Sequence, residues 1–365
     1  MGSDSARDAR DTAAGKAMKG SVGRYFEDFR VGQVFRHAGP RTVTDGDVAV
    51  YRSLTGSRFA LQSSDDFARA LGHPMAPIDD LLVFNLVYAR SVPDVGLNAV
   101  ANLGYAGCRF LAPLYPGETL TAVTEVIGMR DSGGRTGVVY LRTTGYKDGA
   151  TEVIDFARWQ SVRKAEEGVP PFAEQLVPQL PAAVPADALG SGLPVIDVSA
   201  WDSGLSGSRY RWGDYELGER IDHIDGLHVD EGLQMAAARF FQNPARQHPM
   251  PFTDERSRGA WLVSGGLVLA LARALSFNGL GNAVHVSAIN AARYVAPVFT
   301  GSTIFAWSTV LSKEMLDGRD DLGALRVRLV AVRDQPATDF PDRDDAGAYL
   351  PSVVLDTDLW LLIPR

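Results

Sequence analysis

Apolar and polar residues alternate with a period of two in three stretches: Val138 to Thr144, Val353 to Leu362, and Leu325, Val327 and Leu329 set between Arg326 and Arg328. That period predicts strands with one buried and one exposed face. Two other stretches, Ile78 to Val92 and Leu267 to Phe277, are apolar on most faces of a helix, which predicts helices enclosed by the rest of the fold. Each helix precedes a run of strands in its own half of the chain. Strands with a helix on one side make an α+β layer architecture, and an antiparallel sheet wrapped around a central helix would bury both helices.

The halves repeat each other. Phe29-Arg-Val-Gly32 returns as Tyr215-Glu-Leu-Gly218, and Val43-Thr-Asp-Gly46 as Val229-Asp-Glu-Gly232, both at an offset of 186. Phe110-Leu-Ala-Pro113 with Gly117 returns at 184 as Tyr294-Val-Ala-Pro297 with Gly301, and Trp159 pairs with Trp360 across an insertion. Conserved order and spacing over such a distance point to duplication of one unit. Between the copies, residues 165–200 carry six prolines among glycines and small residues, a composition poor in buriable surface that reads as a linker. The division is a leader at 1–20, a first domain at 21–164, the linker at 165–200 and a second domain at 201–365. The polar stretch Met1 to Gly20 reads as a disordered leader rather than a secretory signal.

Composition narrows the classes. A chain of 365 residues is long enough for two cores. A net charge of −8, with no Lys or Arg run longer than two, leaves no electrostatic footprint for nucleic acid. The single cysteine, Cys108, excludes an intrachain disulfide and a thiolate zinc set, and fits a reducing, cytoplasmic setting. No apolar run is long enough for a membrane span. The serine-hydrolase elbow, the P-loop and the dinucleotide fingerprint are all missing. His223 and His228, with Asp222 and Asp225 close by, lack the spacing of metal ligands, and no metal is expected.

Longer motifs carry a resemblance. Gly23-Arg-Tyr-Phe-Glu-Asp-Phe-Arg-Val-Gly-Gln33, Ser57-Arg-Phe-Ala-Leu-Gln62 and Asn98-Ala-Val-Ala-Asn-Leu-Gly-Tyr105 in the first half are similar to mesaconyl-CoA hydratases, a branch of the MaoC-like dehydratase family. So are Asp214-Tyr-Glu-Leu-Gly-Glu-Arg-Ile-Asp-His-Ile-Asp-Gly226, Phe241-Gln-Asn243 and Ala272-Arg-Ala-Leu-Ser-Phe-Asn-Gly279 in the second. The resemblance implies two fused hotdog domains (a double hotdog), each an antiparallel sheet around a central helix. It also implies reversible hydration of a branched C5-dicarboxylic enoyl-CoA without a metal or organic cofactor. An acyl-CoA is then the expected partner, and a homo-oligomer the expected assembly.

Hydrating a double bond conjugated to a thioester needs a group that deprotonates water, a proton for the α-carbon and donors for the enolate oxygen. Many members of the family use an Asp and, five positions later, a His. In the first half those positions hold Ser57 and Gln62, which do not exchange protons near neutral pH. At an offset of 186 stand Asn243 and His248, so the second half is expected to be catalytic, with His248 moving the proton and Asn243 orienting water. Glu231 and Asp230 match a family acidic pair and are candidates for the missing acid, against a capping role at a helix start. Asp79 and Asp80 start the first apolar helix and read as dipole partners. Ser264-Gly265-Gly266 precedes the second one, so the Gly265 and Gly266 backbone N–H groups are candidate oxyanion donors. Arg246, Arg239 and Arg58 lie near the motifs and are candidate cations for substrate carboxylate or phosphate. Where the family pattern has a His and a Phe, this chain has Leu267 and Pro249. Those departures keep three other readings open: hydration of a different acyl thioester, thioester hydrolysis on the same fold, and a non-catalytic acyl-binding subunit.

Overall fold

The computed structural model describes residues 19–166, 175–246, 248 and 259–365; the leader expected at 1–20 falls, up to residue 18, outside them. Each half begins with two short strands, β1 (Val34–Arg36) and β2 (Arg41–Thr42) in the first, β7 (Arg220–Asp222) and β8 (Leu227–His228) in the second. A helix follows: α1 (Asp45–Thr55), and α3 (Glu231–Phe241) in the second copy. Thr44 and Asp230 cap these helices by accepting from the N–H groups of Asp47 and Leu233. The apolar helices are α2 (Asp80–Val95) and α4 (Gly265–Leu275), buried along most of their length as their sequences predict. Four long strands complete each copy: β3 (Ala99–Phe110), β4 (Thr119–Asp131), β5 (Thr136–Lys147) and β6 (Thr151–Arg163), then β9 (His285–Tyr294), β10 (Thr303–Met315), β11 (Leu322–Arg333) and β12 (Val353–Pro364).

Within each copy the long strands are antiparallel, in the order β4-β5-β6-β3 and β9-β12-β11-β10. The copies join edge to edge through β3 and β9, with Tyr105 opposite Ala292 and Cys108 opposite Ile289, so one sheet of 12 strands wraps both helices. Joining the edges removes two unpaired strand rims and pools one apolar core. Burial pushes the Cys108 thiol well above its usual range. The duplication reaches individual bonds. His37 meets Thr124 Oγ1 at 2.7 Å, and its counterpart His223 meets Ser308 Oγ at 2.8 Å.

The segment expected to be a linker is more firmly held than its composition suggests. In its described part Val184, Leu189 and Ile196 are buried with Leu71, Leu316 and Trp360. Its backbone is satisfied by side chains of the second copy: Val184 N–H donates to Asn290 Oδ1 and Ile196 N–H to Asp321 Oδ2. Few apolar residues suffice because the sheet supplies the polar partners.

His223 is fully buried, donates from Nδ1 to the Asn278 carbonyl 2.7 Å away, and is lowered to about 4, mainly by burial. A group that stays neutral when folded but protonates near 6.5 when unfolded contributes stability above pH 6.5 that is lost as pH falls toward 4, with a slope of at most ~1.4 kcal/mol per pH unit. We expect the urea midpoint to fall between pH 7 and pH 5, and to fall less in His223→Gln. An equal fall in both proteins would show that His223 is not the group responsible.

Candidate active site

Helix α3 stops at Phe241 because Gln242 takes a left-handed conformation, φ 56°. The loop beyond it carries Asn243 and His248. Asn243 Oδ1 accepts from Ala245 N–H at 3.1 Å, which leaves the Nδ2 hydrogens without an acceptor among the described residues. His248 is buried, with Nδ1 3.3 Å from the Leu262 carbonyl. Donation from Nδ1 places the lone pair on Nε2. Burial holds the imidazole below its usual value, with the Leu262 carbonyl pulling the other way, so at neutral pH the His248 ring is uncharged.

Thr44, Asp79 and Asp230 cap α1, α2 and α3, but Ser264 makes no capping bond to α4. Instead the Ser264 N–H donates to Gln234 Oε1 at 3.1 Å, and the N–H groups of Gly265 and Gly266 have no acceptor among the described residues. Bare N–H groups at a helix N-terminus suit a developing negative charge. Both glycines are sterically required. A Cβ on Gly265 would lie 2.5 Å from the Tyr294 ring, and one on Gly266 1.9 Å from Asn85 Oδ1. Asn85 belongs to α2, where its Nδ2 donates to the Leu81 carbonyl at 2.8 Å and reaches the Gly266 carbonyl at 3.3 Å.

Asn243, His248, Gly265 and Gly266 line one cavity of about 290 Å³. It opens where β3 and β9 part beyond the Tyr105 and Ala292 pair. The first copy contributes Phe84, Asn85, Tyr88, Asn102 and Tyr105, and the second Val263, Val268, Tyr294 and Val298. The site is therefore composite. Burial pushes the Tyr105 and Tyr294 hydroxyls up, which keeps them donors. Both polar atoms of the Asn102 side chain and the Ser264 hydroxyl are buried without a protein partner; polar groups in that state are usually completed by water or a ligand.

Other sequence candidates stand elsewhere. Asp230 is exposed and used as the α3 cap, and Glu231 is exposed in the first turn. Since α3 turns its far end, Phe241, to the cavity, both sit at the distant end of a helix of 11 residues, about 15 Å long. Neither lines the cavity. Arg58 stacks on Phe277 at 4.7 Å beside Asp225, and Arg239 is exposed on α3; neither lines the cavity. Arg246 is turned to Asn98 Oδ1 at 3.0 Å and the Val22 carbonyl at 2.9 Å. Sequence reasoning does not single out Asn85, Asn102, Gln234 or the tyrosines as site residues. An Asn in the middle of the apolar run Leu81-Leu-Val-Phe-Asn-Leu-Val87 was the one visible signal.

The corresponding place in the first copy is closed. Ser57 and Gln62 border a space of about 10 Å³, about one water. Asp79 accepts from Tyr51 and from its own helix at Leu81 N–H, and the buried Arg273 packs against the Phe59 ring at 3.6 Å.

A neutral buried histidine, a free amide and a bare helix N-terminus meet in one cavity between the two copies. Residues 28–146 match the sequence model of the MaoC like domain. β-Methylmalyl-CoA dehydratase of Chloroflexus aurantiacus is 50% identical, with 95% of this chain and 99% of the relative covered. Mesaconyl-CoA hydratase of Cereibacter sphaeroides is 47% identical, over 95% and 100%. A MaoC domain dehydratase structure from Chloroflexus aurantiacus superposes with a TM-score of 0.91 at 49% identity, covering 95% of this chain and 99% of that one. A Mycobacterium tuberculosis protein described as having a double hotdog fold gives 0.75 at 25%, covering 94% and 99%. The chain belongs to the MaoC-like dehydratase family. Among the described residues no helix is long and apolar enough to cross a membrane.

Proposed function

We propose that the protein reversibly adds water to mesaconyl-CoA, giving β-methylmalyl-CoA. The reading is carried by a buried neutral histidine and an uncapped glycine N-terminus lining the same apolar cavity. Asn243 Nδ2 holds the water and His248 Nε2 removes its proton as the oxygen bonds to the β-carbon. The electron pair of the double bond moves to the thioester oxygen, where the Gly265 and Gly266 N–H groups meet it. The enolate then takes the proton at the α-carbon from the His248 imidazolium, leaving the histidine neutral again. One residue thus serves both transfers, and no second acid is needed. Asn102, with a donor and an acceptor both free among the described residues, matches an amide of the pantetheine arm.

Incubating the purified protein with mesaconyl-CoA should yield a product heavier by one water, and the reverse with β-methylmalyl-CoA. Release of free thiol instead would make it a thioesterase, and binding without turnover an acyl-binding subunit.

The histidine must be neutral to act on water. Because burial lowers it, kcat/KM should persist as pH drops through 6.5 and decline only below. An acid limb centred at or above 6.5 would contradict a buried His248 as the base.

A further inference from the structure

A mesaconyl group ends in a second carboxylate, yet no Arg or Lys lines the cavity among the described residues. One cation stands immediately behind its wall. Arg158, on β6, is completely buried. Among the described residues only its Nη2 is hydrogen-bonded, donating to Ser91 Oγ at 2.8 Å, while Nε and Nη1 are buried without a partner. No carboxylate among the described residues comes within ion-pair distance of it. An unpaired guanidinium in a dry interior is costly, and buried charges are ordinarily matched.

The neighbours of Arg158 are cavity residues. Its guanidinium packs 4.4 Å from the centre of the Tyr88 ring, and its strand position pairs directly with Tyr105, which puts the two side chains on one face of the sheet. Tyr88 and Tyr105 both line the cavity. Pairing Trp159 with Trp360 sets Leu359 at the equivalent position of the closed copy, so Arg158 has no counterpart there.

We propose that Arg158 is the specificity-determining cation, its charge selecting an acyl group that carries a second carboxylate. The carboxylate lies against the Tyr88 and Tyr105 hydroxyls, which donate to it, and Arg158 balances its charge from behind them. The low-dielectric wall preserves that attraction over one side-chain layer.

This inference rests on the hydratase reading, and its test separates the two. The substrates are mesaconyl-CoA and tiglyl-CoA, in which a methyl replaces the second carboxylate. Wild type should favour mesaconyl-CoA. In Arg158→Met the ratio of kcat/KM values for the two should fall about tenfold or more, the scale expected when an opposite charge one side-chain layer away is removed from a low-dielectric wall. Arg158→Lys, which keeps the charge, should keep much of the preference. Arg158→Met should also melt no lower than wild type in the absence of substrate, because an unmatched charge has been removed. Equal losses on both thioesters, or a ratio unchanged in Arg158→Met, would overturn the assignment. Failure of wild type to hydrate either thioester would instead remove the hydratase reading.

Discussion

Replacing His248 with alanine should lower kcat for hydration about 10²- to 10⁴-fold, the usual contribution of a positioned general base, with KM changed only a few-fold. The chemistry predicts the split. In the proposed reaction His248 acts on water and the α-carbon, groups whose charge changes only in the transition state, so its loss should leave ground-state binding of the thioester largely intact. Folding should survive, since the ring makes one long bond, 3.3 Å, to the Leu262 carbonyl. The acid limb of the pH profile should vanish with the histidine. Steady-state kinetics with mesaconyl-CoA, backed by a circular dichroism spectrum matching wild type, would check this. A variant retaining a tenth or more of kcat would mean that water is activated elsewhere and that His248 is a packing residue.

The sequence made the architecture legible because strand and helix periods differ and because the unit is repeated. The alternation at Leu325 to Leu329 and the apolar run after Asp80 each admit one reading, and the repeat assigns the elements pairwise. It also located Asn243 and His248 through their match to Ser57 and Gln62. The residues contributed by the first copy were hidden for a physical reason. Asn85 and Asn102 reach the cavity only because α2 touches α4 and because β3 parts from β9, and no local pattern encodes such contacts between copies. Asp230 and Glu231 are close in sequence to Asn243 but a whole helix away from it in space, a separation that sequence spacing does not show.

Divergence of the copies follows from the same geometry. At the start of α2 stands Asp79, whose carboxylate closes the helix end, and burial with its neighbour Asp80 raises that carboxyl. A bound carboxylate there competes for the position a thioester oxygen would need. At the start of α4 stands Ser264, which leaves the N–H groups bare. One copy spends its helix end on stability, the other keeps it for substrate.

That division makes Gly266 the most sensitive backbone position of the site. Gly266→Ala should destabilise the protein by about 1–3 kcal/mol, the usual cost of an overpacked core, and lower kcat/KM roughly tenfold or more as the helix end shifts. The added methyl would need the place of Asn85 Oδ1, 1.9 Å away. Asn85 is buried and tethered at Leu81 and Gly266, so it cannot swing aside without leaving its amide unpaired. The remaining response is for α4 to move off α2, which carries the Gly265 and Gly266 N–H groups away from the oxygen they serve. Truncating the obstacle separates the two effects. In the double variant Gly266→Ala with Asn85→Ala, the stability loss should be smaller than the sum of the single losses, a coupling expected only for side chains in contact. Additive losses by urea denaturation would show that the methyl is accommodated without touching Asn85, and that the close approach of the helices is not what holds the oxyanion donors in place.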